Sequence, residues 1–203
     1  MMIVIGLTGG IASGKSLVAR ELAKRPGFAA IEIDRLAWEV YRPGSPVYNR
    51  LVEHFGPGIL RSGGEIDRKK LGEIVFKDRT ELQFLSETVH PAITARLREL
   101  VERERRRGTK VLILEAAVLL ESRHVERALF DYIIALKVGQ EEQLRRLRER
   151  DGLSQEEAEL RIKAQEPESL QGADYIIEAS GRPEETVAKV GELIASLLGK
   201  GIE

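Results

Sequence analysis

Apolar residues fall along this chain in two alternating rhythms. Continuous runs occur at Ile3-Val4-Ile5-Gly6-Leu7, Phe28–Asp34, Lys110–Glu115, Tyr132–Lys137 and Asp174–Glu178. Each has the length of a strand buried on both faces. Between them lie stretches with helical spacing, among them 17–24 and a closing segment from Glu184 to about Leu198 with Pro183 at its start. This alternation predicts the α/β class, a parallel sheet wrapped by helices in three layers. One interval breaks the rhythm. Residues 35–109 hold no strand pattern and read as helices punctuated by Pro43-Gly44, Phe55-Gly56-Pro57-Gly58 and Ser62-Gly63-Gly64. A crossover between parallel strands needs only about a dozen residues. The excess predicts a helical subdomain beside the strand ends, where open α/β sheets bind ligands. Asp78-Arg79-Thr80-Glu81 has a capping-box layout. The basic run Arg103–Arg107 falls at a helix end, where cations complement the dipole.

The turn after the first run carries the strongest chemical signal. Gly9-Gly10-Ile11-Ala12-Ser13-Gly14-Lys15-Ser16, followed by Leu17, is a complete P-loop between a strand and a helix. Glycines at both ends let successive N–H groups point at one phosphate chain, and the helix N-terminus adds its positive dipole end. Lys15 reaches the outer phosphates, and the Ser16 hydroxyl is placed to ligate Mg²⁺. The chain is therefore expected to bind a nucleoside triphosphate, with Mg²⁺ as cofactor.

Composition narrows the class further. The 203 residues suit one α/β core with a small insert, and 42% hydrophobic content is enough to fill it. A net charge of −1 argues against a protein whose main work is nucleic-acid binding. With no cysteine, disulfides, thiolate chemistry and Cys-based zinc sites are excluded. Neither a signal-peptide pattern nor the ~20 apolar residues of a membrane span is present, so a cytoplasmic location is expected. No obligate protein partner is evident.

Other residues are candidates for the chemistry. Glu32 and Asp34, two apart in the second run, are expected on one face at the C-terminal end of a strand beside the P-loop strand. A carboxylate there can accept the proton of an attacking hydroxyl or hold Mg²⁺ through water; Asp34 could alternatively cap a helix starting at Arg35. Glu115 ends an apolar run in the manner of a Walker B carboxylate, a second metal candidate beside Ser16. The segment 143–150 is rich in arginine, with Arg146 and Arg150 on one helical face, and Ser154-Gln155-Glu156-Glu157 caps a second helix running to Gln165. Two such helices around a polar turn are what a lid closing over triphosphate would use, at about 140–166. His54 and His124 have no partners at metal spacing.

Taken together, these residues resemble the dephospho-coenzyme A kinase family over about 3–195. The likeness includes Leu7-Thr8-Gly9-Gly10-Ile11 with Ser13-Gly14-Lys15-Ser16, Asp34 as the second acid of an Asp-x-Asp, Arg68 with Leu71 and Phe76, and His90-Pro91. It continues through Leu119-Leu120 with Glu121, Gln143-Leu144 with Arg146 and Arg150, Gln165 and Ala173-Asp174. The resemblance implies a single P-loop kinase domain that moves the γ-phosphoryl of ATP to the ribose 3′-hydroxyl of dephospho-coenzyme A. By the same likeness Asp34 deprotonates the hydroxyl, Lys15 stabilises the migrating charge and Arg146, with Arg150, clamps phosphates from the lid. Glu32, Asp34, Arg68 and His90 would hold the acceptor. The chain departs from the family at Glu32 for Asp, Leu17 for Thr, Ala117 for Pro and Ala179 for Asn. The last puts a side-chain contact to adenine there in question. Two other readings stand beside this one: a kinase of the same architecture acting on a nucleoside or nucleotide, and a nucleotide-binding switch. Against the switch, the chain has no Asn-Lys-x-Asp or Thr-Lys-x-Asp guanine-reading motif.

Overall fold

A computed structural model of the protein describes residues 1–116, 126–164, 170 and 172–200. The chain forms two compact units, one from 1–32 with 103–203 and one from 33–102.

The first unit is built on a single parallel sheet of five strands. These are β1 (Ile3–Gly9), β2 (Phe28–Glu32), β3 (Val111–Glu115), β4 (Tyr132–Lys137) and β5 (Tyr175–Glu178), in the spatial order β2-β3-β1-β4-β5. Every residue of β1 and β3 is buried, which is why both read as unbroken apolar runs. Helices α1 (Lys15–Leu22) and α8 (Pro183–Lys200) supply Val18, Leu22, Val190, Ile194 and Leu197 to one core with Ile5, Leu7, Ile113, Ile134 and Leu136 of the sheet. Pro183 opens α8, where its missing N–H has no helical partner to lose.

The unit also holds α6 (Gln140–Asp151) and α7 (Gln155–Ala164). Gly152 stops α6 in the left-handed region (φ 67°), and its N–H donates to Arg148 O at 3.0 Å. A reciprocal capping box starts α7: Glu157 N–H donates to Ser154 Oγ at 3.2 Å, and Ser154 N–H to the Glu157 carboxylate at 2.8 Å.

The structure corrects the second strand. The apolar pattern carries it to Asp34, but β2 ends at Glu32 and α2 (Ile33–Val40) begins at the next residue. Glu32 pairs in register with Glu115, the last residue of β3, so the ladder offers no rung beyond it. Ile33 and Leu36 are both buried, the spacing of a helix face rather than a pleat. Asp34 falls in the first turn of α2, where the dipole favours a carboxylate. It therefore does not share a strand face with Glu32. Nor does β2 lie beside the P-loop strand, because β3 stands between them.

The second unit contains α2, α3 (Pro46–Phe55), α4 (Arg68–Val75) and most of α5 (Arg79–Arg106). Polar caps start three of these helices. Ser45 Oγ accepts from Tyr48 N–H at 3.0 Å, Asp67 from Lys69 N–H at 3.0 Å, and Asp78 from Thr80 N–H at 2.7 Å. Leu51, Ile59, Ile66, Leu71, Val75 and Val89 make this unit's own core. Among the described residues, no helix is long and apolar enough to cross a membrane.

Candidate active site

The β1–α1 turn has the conformation a phosphate cradle needs. Gly9 has φ 151°, Ala12 φ 61° and Gly14 φ 87°. A Cβ on Gly9 would stand 2.7 Å from both the Leu136 carbonyl oxygen and Ser13 Oγ, so only glycine fits there. Gly14 serves as N-cap of α1 in the left-handed region and makes no side-chain cap. The first N–H groups of α1 are thereby left facing the turn, the arrangement that binds anions at helix N-termini.

A cavity of about 940 Å³ opens at this turn. Its wall is Ala12–Val18 and Arg20 from the P-loop and α1, four residues of α6 including Arg146 and Arg150, Ser180–Arg182 of the β5–α8 turn, and Pro183 and Thr186 of α8. That size is within the usual range for small-molecule sites. Of the nucleotide-binding candidates, Ala12, Ser13, Gly14, Lys15, Ser16, Leu17, Arg146 and Arg150 share this cavity. Gly9, Gly10 and Ile11 form the turn leading into it, and Ile11 O accepts from Gln143 Nε2 at 3.0 Å.

Arg146 is the most connected side chain of the site. Its Nη1 donates to Ala12 O at 3.1 Å, and its Nη2 to Ala179 O at 2.6 Å and Gly181 O at 3.0 Å. Its Nε donates to Glu142 at 2.7 Å. One guanidinium thus ties α6 to the P-loop and to the β5–α8 turn. Hydrogen bonds from Arg145 and then Arg146 hold the Glu142 carboxyl down to about 2. Because Ala179 contributes its main-chain carbonyl, the loss of an Asn side chain at this position leaves that anchor untouched. Arg150 is paired with Asp151, at 2.7 and 2.9 Å.

The two metal candidates meet. Ser16 Oγ donates to Glu115 Oε1 at 3.1 Å, with Glu115 buried at the end of β3 and Ser16 exposed in α1. A hydroxyl and a carboxylate oxygen are hard donors that suit a magnesium-type cation, which keeps waters and phosphate oxygens for its remaining positions. Among the described residues no group of three or more His, Asp or Glu could hold a metal by itself. The donor set therefore fits an ion that arrives with the triphosphate. Register sets Glu32 opposite Glu115, making β2 and β3 end in adjacent carboxylates.

The remaining candidates belong to the second unit. Asp34 stands in the first turn of α2, His90 inside α5, and Arg68 at the start of α4. Arg68 reaches back to α2, its guanidinium carbon 3.2 Å from the centre of the Trp38 ring. Ala117, Leu119, Leu120, Glu121, His124 and Gln165 lie outside the described residues.

Sequence reasoning missed three features. The Ser180–Pro183 segment forms part of the cavity wall, and its advance signals are Gly181 before the α8 start and the family's adenine-side position at Ala179 next to it. Glu142 could have been found from its i,i+4 spacing to Arg146. Trp38 had no signal beyond being the one tryptophan of the chain.

The chain is similar to known proteins along almost its whole length. The family model described as dephospho-CoA kinase matches residues 3–185. A dephospho-CoA kinase of Geobacillus kaustophilus is 45% identical over 190 residues, covering 92% of each chain. The structure of TT1252 from Thermus thermophilus superposes with a TM-score of 0.76 at 31% identity, covering 97% of this chain and 98% of the other. That of a dephospho-CoA kinase from Campylobacter jejuni gives 0.71 at 27% identity, covering 99% and 100%. The chain belongs to the dephospho-CoA kinase family.

Proposed function

We propose that the protein transfers the γ-phosphoryl group of ATP to the ribose 3′-hydroxyl of dephospho-CoA, giving CoA and ADP, as a cytoplasmic enzyme using Mg²⁺. The observation that carries the phosphoryl-transfer half is the Ser16–Glu115 pair at the mouth of a complete P-loop. Family membership supplies the acceptor.

Each part of the chain has a physical task in this scheme. The P-loop N–H groups and Lys15 surround the β- and γ-phosphates, so the charge that moves in the transition state meets fixed donors. Ser16 and Glu115 would hold the divalent cation, which neutralises the β- and γ-oxygens when bound. Arg146 and Arg150 complete the nucleotide side. Arg68 and His90 hold the acceptor, with Glu32 in support. Asp34 accepts the proton of the 3′-hydroxyl as its oxygen bonds to phosphorus and the bond to the ADP oxygen breaks.

An acceptor panel tests this function. Purified protein with ATP and Mg²⁺ is expected to release ADP with dephospho-CoA and not with adenosine, AMP or other nucleosides. Turnover on a nucleoside with none on dephospho-CoA would overturn the assignment.

A further inference from the structure

The second unit carries one side chain, Trp38, that the scheme above does not use and that stands among residues it does use. Asp34 and Trp38 are i,i+4 neighbours on α2, hence on one face, with Cβ atoms about 5–6 Å apart in such a pair. Trp38 is 55% exposed, an unusual state for the most costly apolar ring to leave in water. The Arg68 guanidinium lies over this ring at 3.2 Å and near the Tyr41 ring at 5.8 Å. Its Nη2 is buried and has no hydrogen-bond partner among the described residues. A buried guanidinium nitrogen without an acceptor is costly, and natural structures keep few of them. A half-exposed aromatic ring, a guanidinium nitrogen without an acceptor and a carboxylate on the same helical face together match a ligand with a flat ring, an anionic group and a hydroxyl.

We infer that Trp38 is an acceptor-recognition residue, stacking the adenine ring of dephospho-CoA while Arg68 takes an oxygen of the acceptor's diphosphate. This rests on the proposed reaction, since the acceptor supplies ring, diphosphate and ribose hydroxyl in one molecule. Stacking on Trp38 holds the nucleoside on the α2 face that carries Asp34. Cation–π contact with Arg68 fixes the indole plane in advance, so little side-chain freedom is lost on binding. The inference concerns affinity for the acceptor, not the chemical step.

Trp38 is the chain's only tryptophan, so emission excited at the long-wavelength edge, where the four tyrosines do not absorb, reports on it alone. Titration with dephospho-CoA is expected to shift and quench that emission, whereas ATP with Mg²⁺ leaves it in place. In steady-state kinetics W38A should raise the KM for dephospho-CoA about 5- to 150-fold, the range that base–aromatic stacking covers. Its KM for ATP, kcat and melting temperature should change less than twofold or by only a degree or two, and W38F should restore most of the acceptor affinity. An unshifted emission in an enzyme that turns over dephospho-CoA, or a W38A protein with unchanged acceptor KM, would overturn the role of Trp38 and leave the reaction standing. Absence of turnover by the wild type with dephospho-CoA would instead overturn the reaction itself.

Discussion

Ser16 Oγ donates to Glu115 Oε1 at 3.1 Å, joining the first turn of α1 to the end of β3 across 99 residues of sequence. The pairing follows from strand order, because β3 is the direct neighbour of β1 and Leu7 pairs in register with Glu115. In the proposed scheme it orients both oxygens before a cation arrives. Either S16A or E115Q should raise the Mg²⁺ concentration for half-maximal turnover by at least the roughly 10–100-fold that outer-shell partners of metal ligands cost. Mg²⁺ titration of initial rates checks this; two variants with the wild-type Mg²⁺ dependence would remove the pair from the metal site.

Arg146 links main-chain carbonyls of Ala12, Ala179 and Gly181, so it supports the site as well as facing its cavity. If Arg146 clamps phosphate as proposed, R146A is expected to lower kcat more than acceptor KM, because such contacts strengthen in the transition state. It should also lower stability. Hydrogen bonds from charged groups are worth about 1.5–3 kcal/mol each, and roughly 2–4 °C in Tm accompanies each kcal/mol in a chain of this size. A calorimetric Tm within one degree of wild type, with kcat unchanged, would contradict both roles.

Glu142 makes that anchor pH-dependent in a defined window. Its carboxyl lies at about 2, below the ordinary 4.5, chiefly through its hydrogen bond with Arg145 and then Arg146. A depressed carboxylate stabilises the fold fully above its unfolded value, and this contribution is lost as pH falls through the folded one. The Tm difference between wild type and E142Q should therefore be largest near neutrality and should close between about pH 4.5 and pH 2. A difference that stays constant across this range would show that Glu142 does not carry the linkage.

Asp34 separates proton transfer from helix capping. D34N keeps shape and hydrogen-bonding capacity in the first turn of α2 but cannot accept a proton, so kcat should fall about 10²–10⁴-fold with melting behaviour little changed. A purely structural Asp34 would give the opposite pattern in D34A, a loss of roughly 0.5–2 kcal/mol with turnover preserved. A fully active D34N enzyme would move the base elsewhere, with Glu32 next to be tested.

The parts legible in the sequence were those encoded over short spans. The P-loop is contiguous, and Glu115 follows four apolar residues of a central strand, so the strand–turn–helix around one and the strand end carrying the other could be placed from the sequence. The end of β2 was misread because it is set by β3, whose last rung pairs Glu32 with Glu115, far along the chain. An apolar Ile33 serves a helix face as well as a pleat, so the local pattern could not choose. The partners of Arg146 were invisible for another reason: the carbonyls of Ala12 and Ala179 lie 134 and 33 residues away and belong to the main chain, which has no residue-type signature. The Trp38–Arg68 stack joins two helices in the same way.

The most direct test follows the phosphoryl group itself. Protein, Mg²⁺, dephospho-CoA and ATP labelled at the γ-phosphate are incubated together, and the product is located by ³¹P and ¹H NMR. Label should appear as a phosphomonoester on the ribose 3′-oxygen of CoA, with ADP released in equal amount. Label on any other acceptor position, or ADP release that does not depend on dephospho-CoA, would contradict the proposed reaction.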